Sequence, residues 1–111
     1  MAEVTEQVLT GIVDAIVREV GPEQIVLFGS LARGEGTNDS DIDLMVVERD
    51  AFGPERSRRR EAARIREALR GVRAPFDILV FSRHEVEEWR SSLNHVIARA
   101  LREGRVLYER H

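Results

Sequence analysis

The sequence predicts an α/β (α+β) domain: a small mixed β-sheet flanked by helices. Three observations carry this. The chain opens on an apolar pattern of helical period; three short apolar or alternating runs follow at Gln24–Phe28, Asp41–Val47 and Pro75–Phe81; and helical stretches lie between and after them. Its 111 residues are enough for one core, so residues 1–111 are expected to form a single domain.

The elements follow in order. Val4, Val8, Ile12, Ile16 and Val20 recur every four residues, with Leu9, Val13 and Val17 beside them, which makes a helix with one broad apolar stripe that Gly21-Pro22 stops. "QIVLF", Gln24 to Phe28, reads as a strand covered on both faces. In "DIDLMVV", Asp41 to Val47, period-two alternation puts Asp41, Asp43 and Met45 on one face and Ile42, Leu44 and Val46 on the other. Gly53-Pro54 is expected to open a helix running to about Arg70, with Ala62, Ile65 and Leu69 inward and Gly71 as its stop. "PFDILVF" is the third strand, and Ser82 with Glu85 forms a reciprocal cap for a helix carrying Val86 and Trp89. A last helix, roughly Leu93 to Glu103, ends at Gly104 before a short "RVLYE" strand.

Composition excludes more than it names. With 42% hydrophobic and 33% charged residues and a net charge of −3, the chain is an ordinary globular one, and its charge balance selects no partner. Without cysteine there are no disulfides, thiolate zinc sites or cysteine nucleophiles, which fits a reducing compartment and makes the cytoplasm the expected location. All 17 basic side chains are Arg, so a lysine-based phosphate loop and Schiff-base chemistry are both excluded. No apolar run approaches the roughly 20 residues that span a bilayer, so no membrane association is expected.

The chemistry concentrates in "FGSLARGEGTNDSDIDL", Phe28 to Leu44. Asp41 and Asp43, two apart on one strand, have Cα atoms about 6.6 Å apart and side chains that converge on one side. Hard oxygen ligands in that arrangement suit Mg²⁺, with Mn²⁺ the other candidate. Asp77 supplies a third carboxylate from the middle of an apolar strand, a placement hard to explain without something to coordinate. Upstream, "SLARGE" can begin a helical turn whose free N–H groups, with the Ser30 hydroxyl, offer donors to an anion, while Gly29 lets a phosphate approach without a Cβ in the way. Arg33, one turn on, can aim its fork at the same phosphates. Phosphate donors beside metal-binding carboxylates are the equipment of two-metal phosphoryl or nucleotidyl transfer.

Gly-Ser, ten residues, then Asp-x-Asp resembles the signature of the DNA polymerase β-like nucleotidyltransferase superfamily. The fuller string, with Gly29, Ser30, Ala32, Arg33, Gly34, Ser40, Asp41, Asp43 and Leu44 in place and Asp77 in a later strand, is similar to its minimal branch, the MNT proteins. The resemblance implies the polymerase β-like fold. It implies two divalent ions, Mg²⁺ in the first place, held by Asp41, Asp43 and Asp77, with ATP as substrate and AMP passing to a hydroxyl. Asp41 and Asp43 would ligate both ions, and Asp77 would hold the catalytic one and orient or deprotonate the acceptor. Gly29 and Ser30, with Arg33 and Ser40, would bind the nucleotide. Minimal members resemble antitoxins paired with a helical HEPN-domain RNase toxin, some silencing it by attaching AMP to a tyrosine, so a HEPN-domain partner is implied.

Other readings stand beside this one. Behind the preferred transferase stand a binding module that neutralises or supports a partner by contact and, weaker still for want of an acceptor-binding domain, a transferase acting on a small molecule such as an aminoglycoside. The run from Arg56 to Arg73 carries eight Arg, but Glu61 and Glu67 are interleaved and no aromatic is present, so a solvated helix face or a dock for an acidic partner is favoured over direct nucleic-acid binding. Arg90 and His95 match the R-x₄-H spacing of a HEPN RNase only superficially, because strands stand where that all-helical bundle needs helices. Trp89 and Tyr108 are expected to be core or interface anchors.

Overall fold

The computed structural model describes residues 4–35 and 41–110. Its elements are α1 (Glu6–Val20), β1 (Gln24–Phe28), α2 (Gly29–Ala32), β2 (Ile42–Glu48), α3 (Arg58–Ala68), β3 (Phe76–Ser82), α4 (Arg83–Trp89), α5 (Val96–Glu103) and β4 (Arg105–Glu109). The four strands form one sheet in the order β3-β2-β1-β4. β1 pairs antiparallel with β2 and β4, while β2 and β3 are parallel and joined through α3, so the sheet is mixed as the sequence implies. Among the described residues no helix is long and apolar enough to cross a membrane.

Each face of the sheet has its own helices because the strands alternate. Ile25, Leu27, Ile42, Leu44, Val46, Ile78 and Val80 point to one side, where Leu9, Ile12 and Ile16 of α1 and Ile65 of α3 close over them. Val26, Met45 and Val47 point to the other side and meet Val86 of α4 and Ile97 and Ala100 of α5. β1 is thus covered on both faces, as its unbroken apolar run requires.

Helix ends follow local chemistry. Thr5 caps α1 through its hydroxyl, and Gly21 ends that helix in the left-handed region, with φ 55. Ser82 and Glu85 form the reciprocal cap read from the sequence. α3 departs from expectation. Gly53 and Pro54 belong to a tight turn in which Gly53 and Arg56 bond each other's backbone, and the helix begins only after Ser57, whose hydroxyl accepts from the Arg60 N–H. A serine with a free side-chain acceptor outcompetes the Gly-Pro start, since proline offers no group to cap the orphan donors. α5 likewise starts at Val96 rather than Leu93, because His95 Nδ1 accepts from the Ile97 N–H at 3.1 Å. That ring stacks on Trp89 at 4.7 Å between centroids, so the R-x₄-H histidine is a helix cap. Trp89 is an exposed anchor for that ring rather than a core residue.

The arginine-rich run divides by role. Arg56 donates to Glu48 at 2.6 Å and to Glu61 at 3.2 Å, Arg64 ties Glu61 to Glu19 of α1, and Arg58 binds Glu85 through two nitrogens. Arg59, Arg60, Arg66 and Arg73 are exposed and, among the described residues, have no ion pair, which is the solvated face expected for this run.

Glu48, at the end of β2, is only 3% exposed, and its Oε2 has no hydrogen-bond partner. Burial, and then the neighbouring Glu61 carboxylate, push its carboxyl up to about 8, against the pull of Arg56. The folded chain therefore keeps a proton on Glu48 at neutral pH that the unfolded chain, with an ordinary value of 4.5, has already lost. By linkage, the Glu48 contribution is complete below the unfolded value and drains away as pH rises toward the folded one. Glu61 is shifted down and acts only in acid, below this window. Glu48→Gln, which mimics the protonated form, should flatten the fall in unfolding free energy between about pH 5.5 and about pH 8, measured by urea titration. Parallel curves for wild type and variant would show that Glu48 is already ionised in the fold.

Candidate active site

The site begins where β1 ends. β1 and β2 are in a register that sets Phe28 opposite Asp43, and β2 and β3 set Asp43 opposite Asp77. Neighbouring strands lie about 4.8 Å apart, so the two carboxylates leave adjacent strands on the same face of the sheet. Asp41 stands just before β2, exposed, and completes an acidic group at this end. Period-two alternation thus places Asp41 and Asp43 as the sequence implies.

Asp77 is where the resemblance puts it but not for the reason drawn from its apolar neighbours. It is exposed, near the start of the edge strand β3, and only Ile78, Val80 and Ser82 of that strand are buried. An exposed edge carboxylate requires no partner to be tolerated, so its placement beside Asp43, not burial, is what marks it.

Electrostatics at Asp43 reflect this crowding. Partial burial raises its carboxyl above the ordinary range, and the charges of Asp77 and then Asp41 raise it further, with Arg33 opposing only weakly. Among the described residues none of the three aspartates has an arginine or histidine at ion-pair distance. Among the same residues no three acidic or histidine side chains converge tightly enough to form a ready-made metal cage. The donor set still fits a divalent cation: three hard carboxylates, mutually repelling, with no internal counter-charge.

Gly29 shapes the other wall. Its φ is 76, a left-handed backbone that disfavours any side chain, and a Cβ there would collide with the Asp43 carboxylate, lying 3.1 Å from its Cγ. The chain then makes the four-residue α2 and closes it with paired backbone bonds: the Gly34 N–H to Leu31 O at 3.2 Å and the Glu35 N–H to Ser30 O at 2.9 Å. This is the Schellman closure, with Gly34 at φ 75 in the residue position that needs it. Gly29 is therefore held directly beside Asp43, and Ser30 follows it in the turn. Ser40 lies outside the described residues. Arg33 lines the same cleft as Gly29, with its Nε donating to Glu35 at 2.8 Å. An exposed partner two residues away satisfies a free guanidinium more readily than distant carboxylates do, which the spacing alone did not signal.

A mixed sheet carrying a Gly-Ser turn and a carboxylate cluster on adjacent strand ends defines an α+β nucleotidyl- or phosphoryl-transfer domain. The comparisons are more specific: residues 9–98 match the family model of the nucleotidyltransferase domain, and the chain belongs to that family. No curated protein matches it in sequence. Solved structures share the fold. One is a toxin–antitoxin solved with AMP-PNP, at 21% identity and a TM-score of 0.61, covering 93% of this chain and 74% of that one. Another is a putative nucleotidyltransferase from Sulfolobus solfataricus, at 20% identity and a TM-score of 0.62, covering 92% and 78%. A third is the complex of a tri-AMPylated Shewanella oneidensis HEPN toxin with its MNT antitoxin, at 19% identity and a TM-score of 0.52, covering 92% and 70%. The expectation of a nucleotidyltransferase domain, built on a mixed sheet flanked by helices, is borne out.

The Gly29 turn is open to test. Gly29→Ala forces a Cβ into the left-handed region, at about 1–2 kcal/mol, and against Asp43 besides. The variant should melt earlier than wild type, and adding Asp43→Ala should recover part of the loss, a positive coupling in a double-mutant cycle. Strict additivity would mean that Gly29 and Asp43 do not touch.

Proposed function

We propose that this nucleotidyltransferase moves AMP from ATP to a hydroxyl of a partner protein, with Asp41, Asp43 and Asp77 holding divalent cations, Mg²⁺ first among them. The observation that carries the reading is the register that sets Asp43 beside Asp77 and packs the same carboxylate against the side-chain-free Gly29. Asp41 and Asp43 would hold both cations, and Asp77 the one nearer the acceptor. Bound cations would neutralise the charge that builds on the α-phosphate and the leaving pyrophosphate.

The chain's own groups do the rest. The Ser30 hydroxyl and the backbone N–H groups of the Gly29–Ser30 turn receive phosphate oxygens, beside an Asp43 carboxylate that a Cβ at position 29 would strike. The Asp77 carboxylate, exposed at the sheet edge, is reachable by an acceptor arriving from solvent and takes or orients its hydroxyl proton. A bond forms between that oxygen and the α-phosphorus, the bond to the β-phosphate oxygen breaks, and pyrophosphate leaves with the electron pair.

A partner protein as acceptor is supported by the kind of structure that shares this fold, toxin–antitoxin assemblies and in one case an AMPylated HEPN toxin beside its MNT antitoxin. A tyrosine of a HEPN-domain toxin is accordingly the acceptor to try first.

The reading predicts that a co-expressed HEPN-domain partner takes label from α-phosphate-labelled ATP in the presence of Mg²⁺, and that Asp41→Asn and Asp43→Asn each reduce labelling by at least about a thousandfold. Asp77→Asn should lower the rate with little change in ATP affinity. Label transfer that persists in the Asp41→Asn, Asp43→Asn double variant would refute the assignment, and neutralisation of the partner that persists without transfer would favour action by contact.

A further inference from the structure

Beside the candidate site, α5 faces the Gly29 turn across a small cleft of about 70 Å³, with Gly29 and Arg33 on one wall and Val96, Arg99 and Glu103 on the other. None of the α5 residues entered the chemistry read from the sequence, and Arg99 lies one position beyond the span matched by the family model. Gly29 is the shared boundary: on one side of it stands the Asp43 carboxylate, and on the other the cleft opens. Whatever the aspartates hold through cations therefore continues, past the one residue without a side chain, into a space flanked by two guanidinium groups. Sites for whole small-molecule ligands run to about 300 Å³ or more, so this cleft receives one end of a ligand and not a nucleoside.

The charges in the cleft are arranged for exchange. Arg99 Nε stands 3.9 Å from Glu103 Oε2, a loose contact between groups that are 63% and 45% exposed, and Arg33 is occupied by Glu35 through a single nitrogen. Arg33 also feels the charges of Glu103 and Asp43, which places it between the acidic site and α5. Two forks with most of their donors unspent, restrained by carboxylates they can release, suit a compact polyanion better than any neutral group. Phe28, Val96 and Ala100 supply the apolar remainder of the lining, which strengthens those charged contacts by keeping some water away.

The geometry points to Arg99 as a binding residue for the outer phosphates of the nucleotide, closing over the triphosphate tail from α5 opposite Arg33, with Glu103 as the internal competitor for that arginine. This rests on the proposed nucleotide site. Arg99 gives the site a contact that only a nucleoside triphosphate, and the pyrophosphate it releases, can make; a monophosphate ends before reaching it. The tail is thereby held from two separate elements of the fold, α2 and α5.

The test is equilibrium binding of ATP, AMP and inorganic tripolyphosphate to the full chain with Mg²⁺, for wild type and three variants. Arg99→Ala should weaken ATP and tripolyphosphate by about tenfold and leave AMP unchanged. Glu103→Gln should tighten tripolyphosphate severalfold, a gain that a folding defect would not produce. Arg66→Ala, which removes an exposed arginine from the other side of the sheet, controls for net charge and should alter neither. Equal losses for ATP and AMP in Arg99→Ala, or no loss for tripolyphosphate, overturn the role of Arg99 while leaving the nucleotide site in place. Failure of the wild type to bind ATP at all removes the proposed nucleotide site and this inference together.

Discussion

The contact between the Asp43 carboxylate and the bare backbone of Gly29 is the constraint around which this end of the molecule is built. It exists only in one register. Phe28 stands opposite Asp43, and a slip of one residue between β1 and β2 would turn Asp43 into the face occupied by Ile42, Leu44 and the α1 side chains. The burial of those apolar residues therefore holds the carboxylate at the sheet end, and the left-handed Gly29 lets the chain turn away without striking it. The short α2 and its Gly34 closure then carry the backbone clear of the sheet, leaving the Gly29–Ser30 turn facing Asp43.

The two faces of the sheet divide the work. On one, α1 and α3 seal an apolar core and are tied to each other and to β2 by Glu19, Arg64, Glu61, Arg56 and Glu48. On the other, α4 and α5 cover Val26, Met45 and Val47 but stop short of Asp43 and Asp77, so the same face that packs at its centre is open at its end. The Trp89–His95 stack and the His95 cap fix the start of α5, and with it the positions of Arg99 and Glu103 against the Gly29 turn. Helix capping, a local matter, thereby sets the width of a cleft.

Most of this was legible because it is periodic or local. Strand alternation located Asp41 and Asp43, and S-x-x-E located the start of α4, since each depends on residues a few positions apart. At Asp77 the sequence pattern and the structure agree on the residue but not on its environment: its neighbours in sequence are apolar, yet β3 is an edge strand and position 77 faces solvent. Which strand lies at an edge is a property of topology, and no single strand's sequence states it. The α3 start was misplaced because Gly-Pro and Ser57 both signal a helix entry, and the choice between them turns on a hydrogen bond. The Gly-Ser-x-Ala-Arg string marks Arg33 but not its pairing with Glu35, and Arg99 meets the Gly29 cleft only through the packing of α5 on β1.

β2 itself states the electrostatic logic. It carries Asp43 near one end and Glu48 at the other, and in both the carboxyl is raised by burial first and by neighbouring carboxylates next. At Glu48 the chain brings its own remedy: the segment leading into α3 folds back so that Arg56, resting 4.4 Å over the Phe52 ring, donates to it. At Asp43 no such segment exists among the described residues, and Arg33 is turned toward Glu35 instead. With 17 arginines available, a carboxylate cluster left without one is a selective omission. An internal guanidinium would occupy the space and the charge that the proposed cation and its phosphates require, so the uncompensated acidic end of β2 is the arrangement that the proposed function needs.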